Sequence, residues 1–293
     1  MRVLLTGGSG FVGRYVLDSL QRRGIPTVAV GRCGLVLQAD SIEADLLEVG
    51  DFSRLLDQAQ ATHLLHLAWY AEHGKYWASP LNLRWVDATT RLVEAFCGAG
   101  GCHVVVAGTC AEYDWSHGYC REDSTPLVPA TLYGAAKDAT RRLVAAVCES
   151  YQVTCAWGRI FLPFGTGEAS SRLVPSLIDV LQGGRMPFGV NSRAYRDFLH
   201  VSDVAEGLVS LLLANAHGVY NISSGQPIQL AAIVTEIARL CRADPQVVLR
   251  LASERPSEPP LLVGESLKLR ALGWMPQVPL MQGLARSVQE WAA

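Results

Sequence analysis

Short, nearly unbroken apolar runs alternate with helix-length amphipathic stretches through the first 160 residues. VLLT (3–6), TVAVG (27–31), HLLHLAW (63–69), HVVVAG (103–108) and TCAWGRI (154–160) have the pattern of strands buried on both faces. Between them, FVGRYVLDSLQRRG, FSRLLDQAQ, LRWVDATTRLVEAFCGAG and TLYGAAKDATRRLVAAVCES repeat apolar residues at helical spacing. That alternation predicts an α/β fold, a Rossmann-type doubly wound parallel sheet with helices on both sides. After about residue 160 the pattern loosens. PFGTGEASS, GGRMPFGVNSR and ERPSEPP read as loops separating helices such as SDVAEGLVSLLLANA and LAAIVTEIARLCRA. The expected organisation is a larger domain over 1–160, with about 196–220 added. A smaller C-terminal lobe is expected from 161–195 and 221–293.

Composition narrows the partners. The 293 residues are 49% apolar, enough for a full core. With 25 basic and 27 acidic side chains the net charge is −2, which argues against broad binding to nucleic acid or an anionic membrane. No apolar run reaches the roughly 18 residues of a membrane span, and no export leader is read before the first strand, so a cytoplasmic protein is expected. The eight cysteines (33, 97, 102, 110, 120, 148, 155, 241) show neither CxxC pairs nor Cys/His ligand spacing. Reduced thiols and no metal site are expected.

The first strand runs directly into TGGSGFVG, where Gly7, Gly10 and Gly13 are spaced G-x-x-G-x-x-G ahead of a helix. Gly7 permits a tight turn, Gly10 lets a pyrophosphate approach the backbone, and Gly13 lets the helix pack on the sheet. Ser9, Phe11 and Val12 complete the candidate cofactor cradle, with the helix N-terminus offering N–H groups to phosphate. The second strand ends AVGRC, placing Arg32 where an acidic residue would hold an unmodified adenosine ribose. An arginine there pairs with a 2′-phosphate and favours NADP(H) over NAD(H); a solvated surface arginine is the alternative. Asp45 and Leu46 follow the expected third strand and are candidates for the adenine, with helix capping by Asp51 the competing use of an acid there.

In LYGAAKDATRRL, Tyr133 and Lys137 stand four apart on a predicted helix, so both project from one face. A free tyrosine titrates near 10, and a nearby ammonium stabilises its phenolate, which makes the pair a proton donor or acceptor for a hydroxyl or carbonyl carbon. Thr109, at the end of the strand HVVVAG, places a hydroxyl for the same oxygen. Tyr-x-x-x-Lys alone is common on helix surfaces; the Gly-rich turn and the strand-end threonine are what give it weight.

With these motifs the chain resembles the extended short-chain dehydrogenase/reductases that act on nucleotide sugars, over almost its whole length. TGGSGFVG is similar to the family's TGxxGxxG turn, Asp45-Leu46 to its adenine contact, and HLA (66–68), with Leu67 and Ala68, to its fourth-strand cofactor motif. Thr109, Tyr133 and Lys137 fall where its catalytic triad falls. GRIFLPFG resembles the segment lining nicotinamide and sugar, and YRDFLHVSDVA the segment whose arginine, here Arg196, contacts the nucleotide diphosphate. GVYNISSG and LGWMP are also family-like, and Arg255 in SERPSEPP falls in a second diphosphate-like segment.

Departures matter as much. Cys110 and Ala111 stand where dehydratases and decarboxylases carry an acid after the threonine, so dehydration lacks its base. Trp85 and Leu162 replace two amides. The resemblance implies a nucleotide-sugar 4-ketoreductase using NADPH on a 4-keto-6-deoxyhexose. A 4-epimerase retaining NAD is the alternative, with Cys110 either an acid–base beside the ketone or, more simply, a buried thiol filling space, and a non-enzymatic NADP sensor is a lesser one. It also implies a homodimer through helices near 80–98 and 131–150, with Leu143, Val144 and Val147 as the apolar stripe.

Overall fold

In the computed structural model, which describes residues 1–32, 40–252 and 258–291, the apolar runs are strands whose successive side chains serve opposite cores. The chain forms β1 (Val3–Thr6), β2 (Thr27–Gly31), β3 (Asp40–Glu43), β4 (His63–His66), β5 (His103–Thr109), β6 (Tyr119–Cys120) and β7 (Thr154–Ile160). Val3, Leu5, Leu65 and Val105 enter one core; Leu4, Leu64, Val104 and Val106 enter the other. Two-sided burial is why these strands are apolar throughout rather than alternating. A fully buried leucine such as Leu4 or Leu65 contributes about 1.5–3 kcal/mol.

Further on come β8 (Leu162–Phe164), β9 (Tyr195–Arg196), β10 (Phe198–His200), β11 (Gly218–Ile222), β12 (Ile228–Gln229) and β13 (Leu261–Gly264). Among the described residues, the main sheet has the order β3-β2-β1-β4-β5-β7-β11, with every pairing parallel. Strand order reverses between β1 and β4. A crevice therefore opens at their carboxyl ends, where open α/β sheets bind ligands.

Helix α1 (Phe11–Arg22) packs on one face of the sheet, and α2 (Ser53–Ala59), α3 (Leu81–Gly98) and α4 (Leu132–Ser150) pack on the other. Helix α5 (Leu173–Leu181) belongs to a third core, α6 (Val201–Leu213) returns to the α1 side, and α7 (Leu230–Cys241) joins α5. That third core gathers Leu177 and Ile178 with Ile233, Val234, Ile237, Leu284 and Val288. Residues 218–222 belong to the large sheet, two residues beyond the expected boundary at 220. No described helix is long and apolar enough to cross a membrane.

Two element ends differ from the pattern-based expectation. The strand expected over 63–69 stops at His66, because the N–H groups of Leu67 and Ala68 both donate to Thr6 Oγ1 at 3.2 Å. The strand expected to end at Gly108 continues to Thr109, whose partner is Ile160.

Candidate active site

The glycine turn is built around close backbone approach. Gly7 has φ +72, and a Cβ on it would lie 2.8 Å from the Ala68 nitrogen. A Cβ on Gly13 would overlap the Gly7 carbonyl and press on Gly8. Gly10 donates to Gly7 O at 3.0 Å and stands at the N-cap of α1, whose first turn carries no acid. The helical bonding starts with Arg14 N–H to Gly10 O at 3.1 Å, so the N–H groups of Phe11, Val12 and Gly13 lie at the open end, beside exposed Ser9. This cradle fits a dinucleotide pyrophosphate.

Around it, Arg32 is exposed one residue past β2. The Asp45 carboxylate accepts from Leu47 N–H at 3.0 Å, and Leu46 is buried in the core with Phe52 and Leu55. Asp51 accepts from Ser53 N–H and Oγ at 2.9 and 2.6 Å, fixing the start of α2.

On the other side of the crevice, Thr131 caps α4 by accepting from Gly134 N–H at 3.1 Å, which starts the helix that carries Tyr133 and Lys137 one turn apart. Thr109 ends β5, and its hydroxyl acts on the Tyr133 phenol to lower it. The three candidate catalytic residues are thus brought together. Burial pushes the Tyr133 phenol up, not down as a neighbouring cation would, with the Thr109 hydroxyl opposing it. Lys137 is buried, and desolvation lowers it to about 7, with the Glu112 charge opposing. Its ammonium donates to Ala107 O at 2.9 Å and sits 3.9 Å from the centre of the Trp69 ring. In this arrangement Lys137 is engaged by the carbonyl and the indole.

Thr109 is held from below. Its N–H donates to Glu112 Oε1 at 2.9 Å, and its hydroxyl accepts from Ala111 N–H at 3.2 Å. Glu112 is fully buried and pairs with Arg159 at 2.7 Å; Arg159 continues to Tyr113 and Tyr113 to Asn221. The sequence reading missed this network. A glutamate three residues after the threonine, the capping-box spacing, was the available signal.

It also missed an aromatic enclosure. Around Tyr133 stand Tyr76 at 4.7 Å, Trp77 at 5.8 Å and Trp69 at 6.5 Å between ring centres, all edge-to-face. Trp85, where an amide was expected, stacks on Trp69 at 6.0 Å. Four aromatics within residues 69–77, in a segment without regular strand or α-helix, were the overlooked sign. A second buried carboxyl, Glu168, is pushed up to about 7 by burial and pairs with Arg172 at 2.9 Å.

Among candidate substrate contacts, Cys110 is buried next to Thr109, and burial keeps its thiol neutral. Arg196 donates to Tyr195 O and Pro259 O, both at 2.8 Å, and lies 3.6 Å from Glu258. Its neighbour Asp197 binds Ser224, Gly225 and Gly264 instead, as opposite facing on a strand requires. Arg255 lies outside the described residues.

The pattern of the NAD dependent epimerase/dehydratase family matches residues 3–223. The chain belongs to that family. Membership makes it a nicotinamide-dinucleotide-dependent enzyme, in keeping with the cradle. It is 28% identical to the UDP-glucose 4-epimerase of Azospirillum brasilense, covering 99% of this chain and 91% of that one. It is 24% identical to the dTDP-6-deoxy-L-talose 4-dehydrogenase (NAD(+)) of Aggregatibacter actinomycetemcomitans, over 80% of this chain and 89% of the relative. The solved structure of MoeE5 in complex with UDP-glucuronic acid and NAD superposes with a TM-score of 0.85 at 27% identity, covering 100% and 99% of the two chains.

Proposed function

We propose that the chain is a nucleotide-sugar 4-ketoreductase, reducing the C4 ketone of a nucleotide-linked 4-keto-6-deoxyhexose. The observation that carries this reading is the Thr109–Tyr133–Lys137 set beside Cys110 and Ala111. The proton-transfer groups for a carbonyl are assembled, while the carboxylate that dehydration needs is missing. The nicotinamide dinucleotide, held by Gly7, Gly10, Gly13 and the α1 N-terminus, supplies the hydride. Thr109 holds the carbonyl oxygen, Tyr133 gives it a proton, and Lys137 stabilises the phenolate left behind. Arg32 favours NADP(H), and Arg196, buried and held by the carbonyls of Tyr195 and Pro259, is assigned to the substrate diphosphate. Exposed Leu83, Leu132 and Leu143 line a groove between α3 and α4 and support a homodimer there. Val144, expected in that stripe, turns into the core instead.

A 4-epimerase is the second reading, favoured by the names of the UDP-glucose 4-epimerase relatives and by the NAD in the MoeE5 structure. One experiment separates the two. The protein is stripped of bound nucleotide and assayed for NADPH oxidation against UDP-, dTDP-, GDP- and CDP-linked 4-keto-6-deoxyhexoses. One NADPH consumed per sugar reduced supports the reductase; inversion at C4 of a 4-hydroxy sugar with no net consumption supports the epimerase.

A further inference from the structure

The geometry points to an apolar subsite, walled by Trp77 and Trp115 over Tyr76, that takes a deoxygenated position next to the reacting carbon and discriminates against a hydroxyl or carboxylate there. It rests on the nucleotide-sugar reading above and names the residues that would set its specificity.

Trp77 stands at the corner of this wall. Its ring centre is 4.3 Å from Tyr76, 5.8 Å from Tyr133 and 6.2 Å from Trp115, and it meets the last two edge-on at 88°. Tyr76 is buried, whereas Trp77 and Trp115 are half-buried, so part of each indole is accessible. The indole N–H of Trp115 is already used, donating to Cys110 O at 2.8 Å, which ties this wall to the residue beside Thr109. A group bound at the Tyr133 hydroxyl therefore has the Tyr76 and Trp77 rings beside it, with Trp115 tied to the backbone of Cys110. Arg172 is the cation whose charge reaches Tyr76, and it is paired with Glu168.

Aromatic faces and edges recognise C–H groups, and a hydroxyl placed against them loses its water partners without replacement. A methyl or methylene is therefore favoured at the carbon flanking C4. On a hexose the position bonded directly to C4 that meets this description is C3, and C6, carried by C5, is the next nearest. An apolar pocket rejects an added hydroxyl by about 10- to 100-fold, and that is the discrimination expected here.

The test is a set of binding titrations, by calorimetry and by quenching of tryptophan fluorescence. The ligands are UDP- and dTDP-linked glucose, 6-deoxyglucose, 3-deoxyglucose and glucuronic acid, with UDP and dTDP alone as references. Wild type should bind one deoxy ligand about 10- to 100-fold tighter than its glucose parent and bind the glucuronic acid derivative weakest. Trp77→Ala should bring that ratio to within about twofold of one, leave affinity for the bare diphosphate unchanged, and be rescued by Trp77→Phe. Equal or tighter binding of glucose or glucuronic acid in wild type overturns the subsite while leaving the nucleotide-sugar reading standing. So does a deoxy preference that survives in Trp77→Ala. Failure of every ligand, the bare diphosphates included, overturns the nucleotide-sugar reading and the subsite with it.

Discussion

The ammonium of Lys137 lies 3.9 Å from the centre of the Trp69 ring while it donates to the carbonyl of Ala107 at 2.9 Å. The indole is fixed in turn, donating to Asn82 Oδ1 at 2.9 Å and stacking on Trp85. A cation over a desolvated aromatic face gains up to about 2 kcal/mol, and that gain belongs to the charged form alone. Trp69 thus opposes the burial that draws Lys137 down to about 7.

Removing the ring should let Lys137 lose its proton earlier. In Trp69→Leu the alkaline limb of the turnover profile is expected to move down by about one pH unit, with Trp69→Phe intermediate. A limb that stays in place while turnover falls would reduce Trp69 to a packing residue.

Tyr133→Phe removes the hydroxyl and keeps the ring with its edge-to-face neighbours Tyr76, Trp77 and Trp69. Turnover should fall by ~10²-fold or more with cofactor affinity nearly intact, as loss of a general acid requires. Near-wild-type activity in this variant would remove Tyr133 from the mechanism.

Arg32 is exposed immediately beyond β2. A bidentate guanidinium–phosphate pair there is worth about ten- to a hundredfold in affinity, so Arg32→Ala should weaken NADPH by that factor and leave NADH unchanged. Fluorescence titration of both cofactors decides it. Wild type that binds NADH as tightly as NADPH contradicts the 2′-phosphate reading.

How much of this was legible in the sequence depended on whether a feature is local. The Gly7–Gly13 turn, the β1–α1 junction and the Tyr133–Lys137 spacing are set by residues within a dozen positions of each other, and pattern alone reads them. Glu112 and Arg159 are 47 positions apart, and nothing near either one signals that parallel pairing of β5 with β7 stacks them in a dry interior. The aromatic enclosure was hidden for a related reason. Its rings come from the loop after β4, from α3 and from the start of α4, so only the fold makes them neighbours. Arg196 shows the converse. Its place in YRDFLHVSDVA is readable from the sequence, but the two carbonyls it holds are not.

The buried Glu112–Arg159 pair leads to a stability prediction. Arg159→Met leaves the carboxylate charged and unpaired and should cost about 3–5 kcal/mol in denaturant unfolding. The double variant Glu112→Gln, Arg159→Met should recover most of that loss, because it removes both charges together. Turnover in the double variant should stay low, since the Thr109 N–H then meets a neutral amide instead of the carboxylate that positions it. Recovery of stability and turnover together would separate the pair from the site.

His66 contributes one term of definite sign to the pH dependence. Its ring is buried between Thr6 Oγ1 at 2.8 Å and Thr89 Oγ1 at 3.0 Å, and burial first, then the Lys137 charge, lower it to about 3. A histidine whose folded value lies below its unfolded value of 6.5 resists protonation only in the folded state. Its contribution is therefore intact above pH 6.5 and is lost progressively as pH falls from 6.5 towards 3, at about 1.4 kcal/mol for each pH unit. His200, lowered to about 4 by burial, acts in the same direction, whereas the raised carboxyls Glu168, Asp197 and Asp203 act in the opposite one. The difference between wild type and His66→Gln isolates the one term. His66→Gln should be less stable than wild type at pH 7.5, through its altered bonds to Thr6 and Thr89. That deficit should shrink steadily by pH 4.5, measured as urea midpoints at matched ionic strength. A deficit that stays constant across that range would mean that His66 does not titrate differently in the folded and unfolded chains.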